Sequence, residues 1–157
     1  MKTLHMRTLS VVFLLGAAFA PTAFAQTPAK PNLPPLYDRL GGLRGITLVV
    51  DDFINRLVKN VTLNKNPAID AGRKSAPAPY LKFHVAQLIC QVTGGPCRYT
   101  GRSMKESHVH LNSSENEWKV MAQDFKKSLD KFKVPPAEQK ELFAIVGGTK
   151  GDIVATK

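Results

Sequence analysis

The segment from Ser114 to Pro135 leaves the chain little choice of fold. Ser114 followed three residues later by Glu117 is a capping-box signature, in which a hydroxyl and a carboxylate satisfy the first backbone donors of a helix. Trp118, Met121, Phe125, Leu129 and Phe132 then recur at three- and four-residue spacing until Pro135 ends the run. A helix with one such apolar stripe must bury it against other elements, so the rest of the chain has to supply partners of matching kind.

It supplies helices. Ile46, Val49, Val50, Phe53 and Leu57 repeat at helical spacing, and Ile54 and Val58 widen the stripe, which predicts a long helix over Ile46–Val58. The β-branched residues there would suit a strand, but the run is more than twice a usual strand length of about 5 to 6 residues. A second helix is expected over Tyr80–Val92, with Leu81, Val85, Leu88, Ile89 and Val92 on one side and Gly94-Gly95-Pro96 as the stop. A short helix follows around Ser103–Leu111. A last one begins at Pro136 and carries Leu142, Phe143, Val146, Ile153 and Val154, with Gly147-Gly148 weakening its middle by about 1 kcal/mol per glycine. Between Asn60 and Pro79 the prolines at 67, 77 and 79, with Gly72 and scattered apolar residues, predict a long loop. No hairpin signal is present, and the expected class is all-α.

The N-terminus stands apart. Lys2 and Arg7 precede an apolar run from Leu9 to Ala20 that ends in Ala23-Phe24-Ala25, the pattern of a cleavable signal peptide over residues 1–25. The run is shorter than the roughly 20 residues a membrane-spanning helix needs, so no stable membrane span is expected. Gln26–Pro35 is proline-rich and reads as an extended lead-in to one domain over 36–157. The expected location is the periplasm or the exterior. Hydrophobic residues make up 43% of the chain, too many for disorder, and two cysteines are too few for a disulfide scaffold. With 22 Lys and Arg against 12 Asp and Glu the chain is basic, and losing Lys2 and Arg7 with the leader leaves it so. Export makes nucleic acid an unsuitable partner for that charge. It leaves solubility, an anionic lipid surface or an acidic cofactor.

No nucleophile–histidine–acid spacing and no phosphate-cradling loop is found, since Gly94-Gly95 ends a helix instead of opening one. After the expected leader the histidines are His84, His108 and His110. The stretch Gly94–Leu111 contains Gly94-Gly95, Tyr99-Thr100-Gly101 and Met104-Lys105-Glu106-Ser107-His108, and it resembles the truncated haemoglobins. In that family a glycine pair closes the distal helix, a Tyr-x-Gly turn follows, and a Met-Lys-x-x-His run carries the iron-binding histidine. Leu36–Gly42 and Val49–Phe53 match as well, so the resemblance spans about 36–154 and is similar to an exported member of the group-one branch.

The resemblance implies a truncated globin fold, a two-over-two helical sandwich around haem, with His108 as axial ligand through a neutral imidazole. His110 would point roughly 200° away on a helix, and no cysteine or carboxylate completes a zinc set with the pair. The haem walls would be Phe53, Ile54, Leu81, Val85, Leu88, Met104 and Trp118 or Met121, with Tyr99 nearby and Lys82, Arg102 or Lys105 meeting the propionates. Each wall residue also suits ordinary core and each basic residue plain solvation. A Cys-x-x-Cys-His attachment motif is absent, which implies non-covalent haem b.

The distal side departs from the family. Where group-one proteins commonly place a tyrosine and glutamines this chain has Ile54, Leu81 and Val85, none of which donates a hydrogen bond. Bound oxygen is then expected to leave, or the iron to oxidise, more readily. The family's aromatic residue after the first long helix is replaced by Asn66-Pro67, followed by what reads as an insertion. His84 lies roughly 70° from the centre of the Leu81/Val85 stripe. It is a candidate sixth iron ligand or donor to bound gas, or else an exposed residue beside a propionate. Cys90 and Cys97 would be about 10 Å apart on a continuous helix, but the Gly94-Gly95-Pro96 break can bring them to disulfide distance; the other reading is two separate thiols.

The functional expectation is reversible binding of oxygen, nitric oxide or carbon monoxide at the iron. Nitric oxide dioxygenation, a family activity, would require a reductase, so enzymatic status stays open. A six-coordinate protein with His84 and His108 both on iron, for electron transfer or redox sensing, is the second reading. A haem-free helical binding module contacting acidic partners is the third.

Overall fold

Helix ends in this protein are set by side chains that satisfy backbone donors and by residues that cannot continue the helix. The computed structural model describes residues 33–155, so the signal peptide expected over 1–25 and nearly all of the proline-rich lead-in lie outside the described residues. The elements are α1 (Leu36–Arg39), α2 (Gly42–Lys59), α3 (Val61–Asn64), α4 (Pro67–Ser75), α5 (Ala78–Val92), α6 (Met104–His108) continued by a 3₁₀ turn (Val109–Leu111), α7 (Glu115–Lys131), α8 (Pro136–Gly147) and α9 (Lys150–Ile153). Among the described residues there is no strand, only an isolated parallel bridge between Ser113 and Val154. The all-α expectation holds.

The expected long helices form where the apolar stripes placed them, and α2 is the centre of the packing. Its buried face, Ile46, Val49, Val50, Phe53 and Ile54, meets Ala86 and Cys90 of α5 and Phe125 and Leu129 of α7. Phe125 links three helices, with its ring 5.1 Å from Phe53 and 5.4 Å from Phe143 of α8. Two left-handed residues, Gly41 (φ +81) and Gly42 (φ +66), let α1 turn directly into α2, a backbone state that L side chains adopt poorly. Arg39 of α1 ties down α8 through Glu138 at 2.8 Å and Glu141 at 2.7 Å.

The loop expected over Asn60–Pro79 is largely helical, and this corrects the sequence reading. Asn60 accepts hydrogen bonds from the backbone N–H groups of Thr62 and Leu63 and starts α3; Asn66 accepts from Ala68 and Ile69 and starts α4, with Pro67 at its first position. A proline there forfeits no helical hydrogen bond, so it begins a helix instead of breaking one. The end of the chain differs too. The expected final helix is divided, α8 stopping at Gly147 and α9 resuming at Lys150, because the glycine pair ends the helix outright. This division lets Ala155 N–H donate to the Ser113 carbonyl at 2.9 Å and lets α9 pack on α6.

A polar seam runs beside the apolar core. Asp52 of α2 accepts hydrogen bonds from Arg56, Ser128 and Lys131, and Asp124 of α7 accepts from Asn60 at 2.6 Å and Lys127 at 3.1 Å. Burial opposes ionisation of Asp52, but the bonds from Lys131, Arg56 and Ser128 outweigh it and hold its carboxyl at about 2, below the ordinary 3.8. Cys90 and Cys97 form a disulfide with Cα atoms 5.7 Å apart, because the chain doubles back at Gly94 and Gly95.

Two outcomes are expected in thermal and acid unfolding. Closing a loop of seven-residue separation restricts the unfolded chain, so Cys90→Ala with Cys97→Ser should lower stability by about 2 to 3 kcal/mol, read as a lower Tm. Alanine is used at the buried position so that no unpaired hydroxyl is left there. Asp52 is ionised in the fold below the pH at which it protonates in the unfolded chain. Its contribution of about 1 to 2 kcal/mol is therefore complete above pH 3.8 and lost as pH falls towards 2, and Asp52→Asn should flatten the stability profile in that window.

Candidate cofactor site

The candidate ligand His108 stands on a helix of little more than one turn. Ser103 and Glu106 form a capping box, with the Ser103 N–H donating to the Glu106 carboxylate at 2.9 Å and the Glu106 N–H to the Ser103 hydroxyl at 3.2 Å. Four residues after Met104, the half-buried His108 places Nδ1 2.8 Å from the Met104 carbonyl. A carbonyl only accepts, so Nδ1 carries the proton and Nε2 keeps its lone pair free for a metal. Burial, partly offset by the Met104 hydrogen bond, pushes the His108 pKa down and favours that neutral form. His110 is exposed, as its spacing implied.

The other candidate residues lie chiefly on α5. Leu81, Val85 and Leu88 share one face and are half-buried, as are Met104 of α6 and Trp118 and Met121 of α7. Phe53 and Ile54 lie deeper, within the core cluster. Leu81, Val85 and Met121 pack inward against that cluster, while Leu88, Met104 and Trp118 keep part of their apolar surface in water. His84 is held among rings, with centroids 4.3 Å from Tyr80, 5.2 Å from Phe83 and 6.1 Å from Tyr99. Its Nδ1 is buried without a hydrogen-bond partner, and so is Oε1 of Gln87, three residues on. Buried polar atoms are nearly always paired with protein, water or a ligand, and these two are the unmatched side-chain atoms among the described residues.

The remaining expected residues are distributed around this site. The Tyr99 hydroxyl donates to the Arg102 carbonyl at 2.7 Å and its N–H donates to Gln91 Oε1 at 2.7 Å. Burial raises its pKa, aided by the neighbouring Tyr80 phenol. Lys82 is paired with Asp51 at 2.6 Å, while Arg102 and Lys105 are exposed.

A flat, largely apolar group carrying a metal suits a half-buried apolar face, a neutral imidazole with a free Nε2 and two unmatched polar atoms. Sequence reading missed Gln87, which has no motif, and Leu111 and Asn66, whose roles depend on α4. The Asn-Pro pair at 66–67 was the available signal, because asparagine at the cap and proline at the first position is a helix start.

Known proteins share the family and the fold of this chain. The bacterial-like globin family profile matches residues 35–155. The group 1 truncated hemoglobin GlbN of Synechocystis sp. is 26% identical over 117 residues, covering 71% of this chain and 89% of that protein. GlbN of Nostoc sp. is 28% identical over 119 residues, covering 76% and 96%. Among solved structures, truncated hemoglobin from Tetrahymena pyriformis in the Fe(III) form has a TM-score of 0.67 at 18% identity, covering 78% of this chain and all of that one. The 2/2 hemoglobin of Synechococcus sp., a cyanomet form with covalently attached heme, has a TM-score of 0.66 at 21% identity, covering 77% and 98%. These structures share the fold.

The unmatched acceptor on Gln87 is a cost in the absence of a bound group. Gln87→Leu should therefore stabilise the cofactor-free protein by about 1 kcal/mol, seen as a higher Tm in calorimetry.

Proposed function

Since this chain belongs to the bacterial-like globin family, we propose that it holds haem b through Nε2 of His108 and binds a diatomic gas. The observation that carries the reading is the 2.8 Å contact between His108 Nδ1 and the Met104 carbonyl, which fixes the tautomer and aims the other nitrogen. Haem, when bound, supplies an iron with one face open to oxygen, nitric oxide or carbon monoxide. Phe53, Ile54, Leu81, Val85, Leu88, Met104, Trp118 and Met121 would wall the haem slot and exclude water from it. Arg102 and Lys105 are exposed basic groups that would meet the propionates, with Tyr99 next to Arg102. Lys82 is the weaker candidate because Asp51 already neutralises it. Attachment is non-covalent: both cysteines are joined to each other and no Cys-x-x-Cys-His motif exists.

Ile54, Leu81 and Val85 give bound gas no hydrogen bond, so oxygen is released faster than from a pocket with a tyrosine donor. The group-one branch is supported by the glycine pair, the Tyr-x-Gly turn and the Met-Lys-x-x-His run. Export to the periplasm or exterior is supported by the leader pattern over 1–25 and agrees with a disulfide that an oxidising compartment maintains. No helix among the described residues is long and apolar enough to cross a membrane. Turnover as a nitric oxide dioxygenase would require an electron-donating reductase as partner.

A second reading is favoured by one feature, the buried and unpartnered Nδ1 of His84 beside the distal face. In that reading His84 is a sixth ligand when no gas is bound, and the protein serves electron transfer or redox sensing.

Titration of the mature chain with haem should show uptake of one equivalent, and His108→Ala should abolish it; a colourless folded protein would overturn the globin reading. The optical spectrum of the ferrous form separates the two coordination states. A six-coordinate spectrum that becomes five-coordinate in His84→Ala identifies His84 as ligand, and a five-coordinate wild-type spectrum excludes it.

A further inference from the structure

The residues between α3 and α5 form a rigid link to the histidine segment. Arg73 of α4 donates through its guanidinium to the carbonyls of Leu57 at 3.0 Å and Val58 at 3.3 Å, and also to the Asn64 side chain. Those carbonyls close the last turn of α2, so α4 is fixed to the end of the central helix. At its other end α4 is started by Asn66, whose Oδ1 accepts from Ala68 at 3.0 Å and Ile69 at 3.4 Å. The Nδ2 group of the same side chain donates to the Leu111 carbonyl at 3.0 Å, and the Asn66 amide helps lower the pKa of the neighbouring Glu117 carboxyl. Glu117 in turn accepts from the Ser114 N–H at 2.6 Å in the α7 capping box. One asparagine therefore joins the start of α4 to the end of the 3₁₀ turn after His108.

The histidine segment needs such a support. It is a single α-turn followed by a 3₁₀ turn that ends at Asn112 in a left-handed conformation (φ +48), and it has few internal hydrogen bonds with which to hold its own shape. Leu111 also lies against Gly72 of α4, where an added Cβ would be 3.1 Å from Leu111 Cδ2. Contact is therefore made by a small residue on one side and a large one on the other. An asparagine is required at the junction because it accepts and donates at once; an aspartate accepts but cannot donate.

We propose that α4 is a strut between the end of α2 and the His108 segment, and that Asn66 is the positioning residue that sets where the His108 imidazole stands. The inference extends the haem reading, on which its iron readout rests. The stiffness of the segment is measurable with or without haem.

Asn66→Asp is the discriminating variant. It keeps the cap on α4, so the helix and the fold persist, but it removes the donor to Leu111 and sets a second carboxylate beside Glu117. In the haem-free protein, backbone amide exchange over 104–111 should become about tenfold faster than in wild type, with exchange in α4 unchanged. In the haem-loaded ferrous protein, haem stoichiometry should be retained while the iron–histidine stretching band shifts or broadens. Asn66→Gln, which has the same groups on a longer arm, should recover part of the protection. Unchanged exchange over 104–111 overturns the strut. Faster exchange with an unmoved iron–histidine band overturns the positioning role. Wild-type protein lacking that band would defeat the haem reading instead, and the exchange result would still decide the strut.

Discussion

A hydrogen bond between a histidine and a carbonyl four residues earlier is the constraint on which the proposed haem site depends. By occupying Nδ1, the Met104 carbonyl fixes which nitrogen of His108 is basic and which way it points, and partial burial keeps the ring neutral. A free imidazole on a mobile turn would offer the same atom with a large ordering cost. The fold around α6 is spent on reducing that cost: a capping box at one end, α9 packed against it, and an asparagine fixing the other end.

The rest of the chain serves as the frame. Helix α2 buries its apolar stripe against α5 and α7, which brings the helix carrying Leu81, His84 and Val85 into a fixed relation with the helix carrying Trp118 and Met121. Polar contacts set the alignment that apolar packing alone leaves loose. Asp52 and Asp124 join α2, α7 and the start of α3 with directional bonds, and Arg39 attaches α8 to α1. The disulfide closes the far end of α5, where the chain turns towards Tyr99 and the histidine segment.

Local reasoning failed in two places for related reasons. Prolines at 67, 77 and 79 were read as breakers, yet Pro67 and Pro79 occupy first-turn positions of α4 and α5, where a missing N–H costs nothing. Helix α4 has no fully buried residue, so no strong apolar stripe announced it; its capping asparagine and its contacts to α2 and Leu111 hold it instead. At the C-terminus a periodic pattern ran across Gly147-Gly148, and periodicity does not record that two adjacent glycines lower helix stability enough for the chain to turn there.

From the residues alone came the helical class, the three long amphipathic helices and the glycine stop after α5, because each depends on spacing or on neighbours within a few positions; the choice of His108 came from the Met-Lys-x-x-His resemblance. Burial and pairing came only with the third dimension. Whether Cys90 meets Cys97, whether Lys82 is free or neutralised by Asp51, and that His84 and Gln87 keep unmatched polar atoms are relations between side chains whose separation depends on how the backbone folds. The strut from α2 to Leu111 belongs to the same category. A sequence pattern records which face of a helix is apolar, but the bonds that place one helix end against another are fixed by packing across the whole domain.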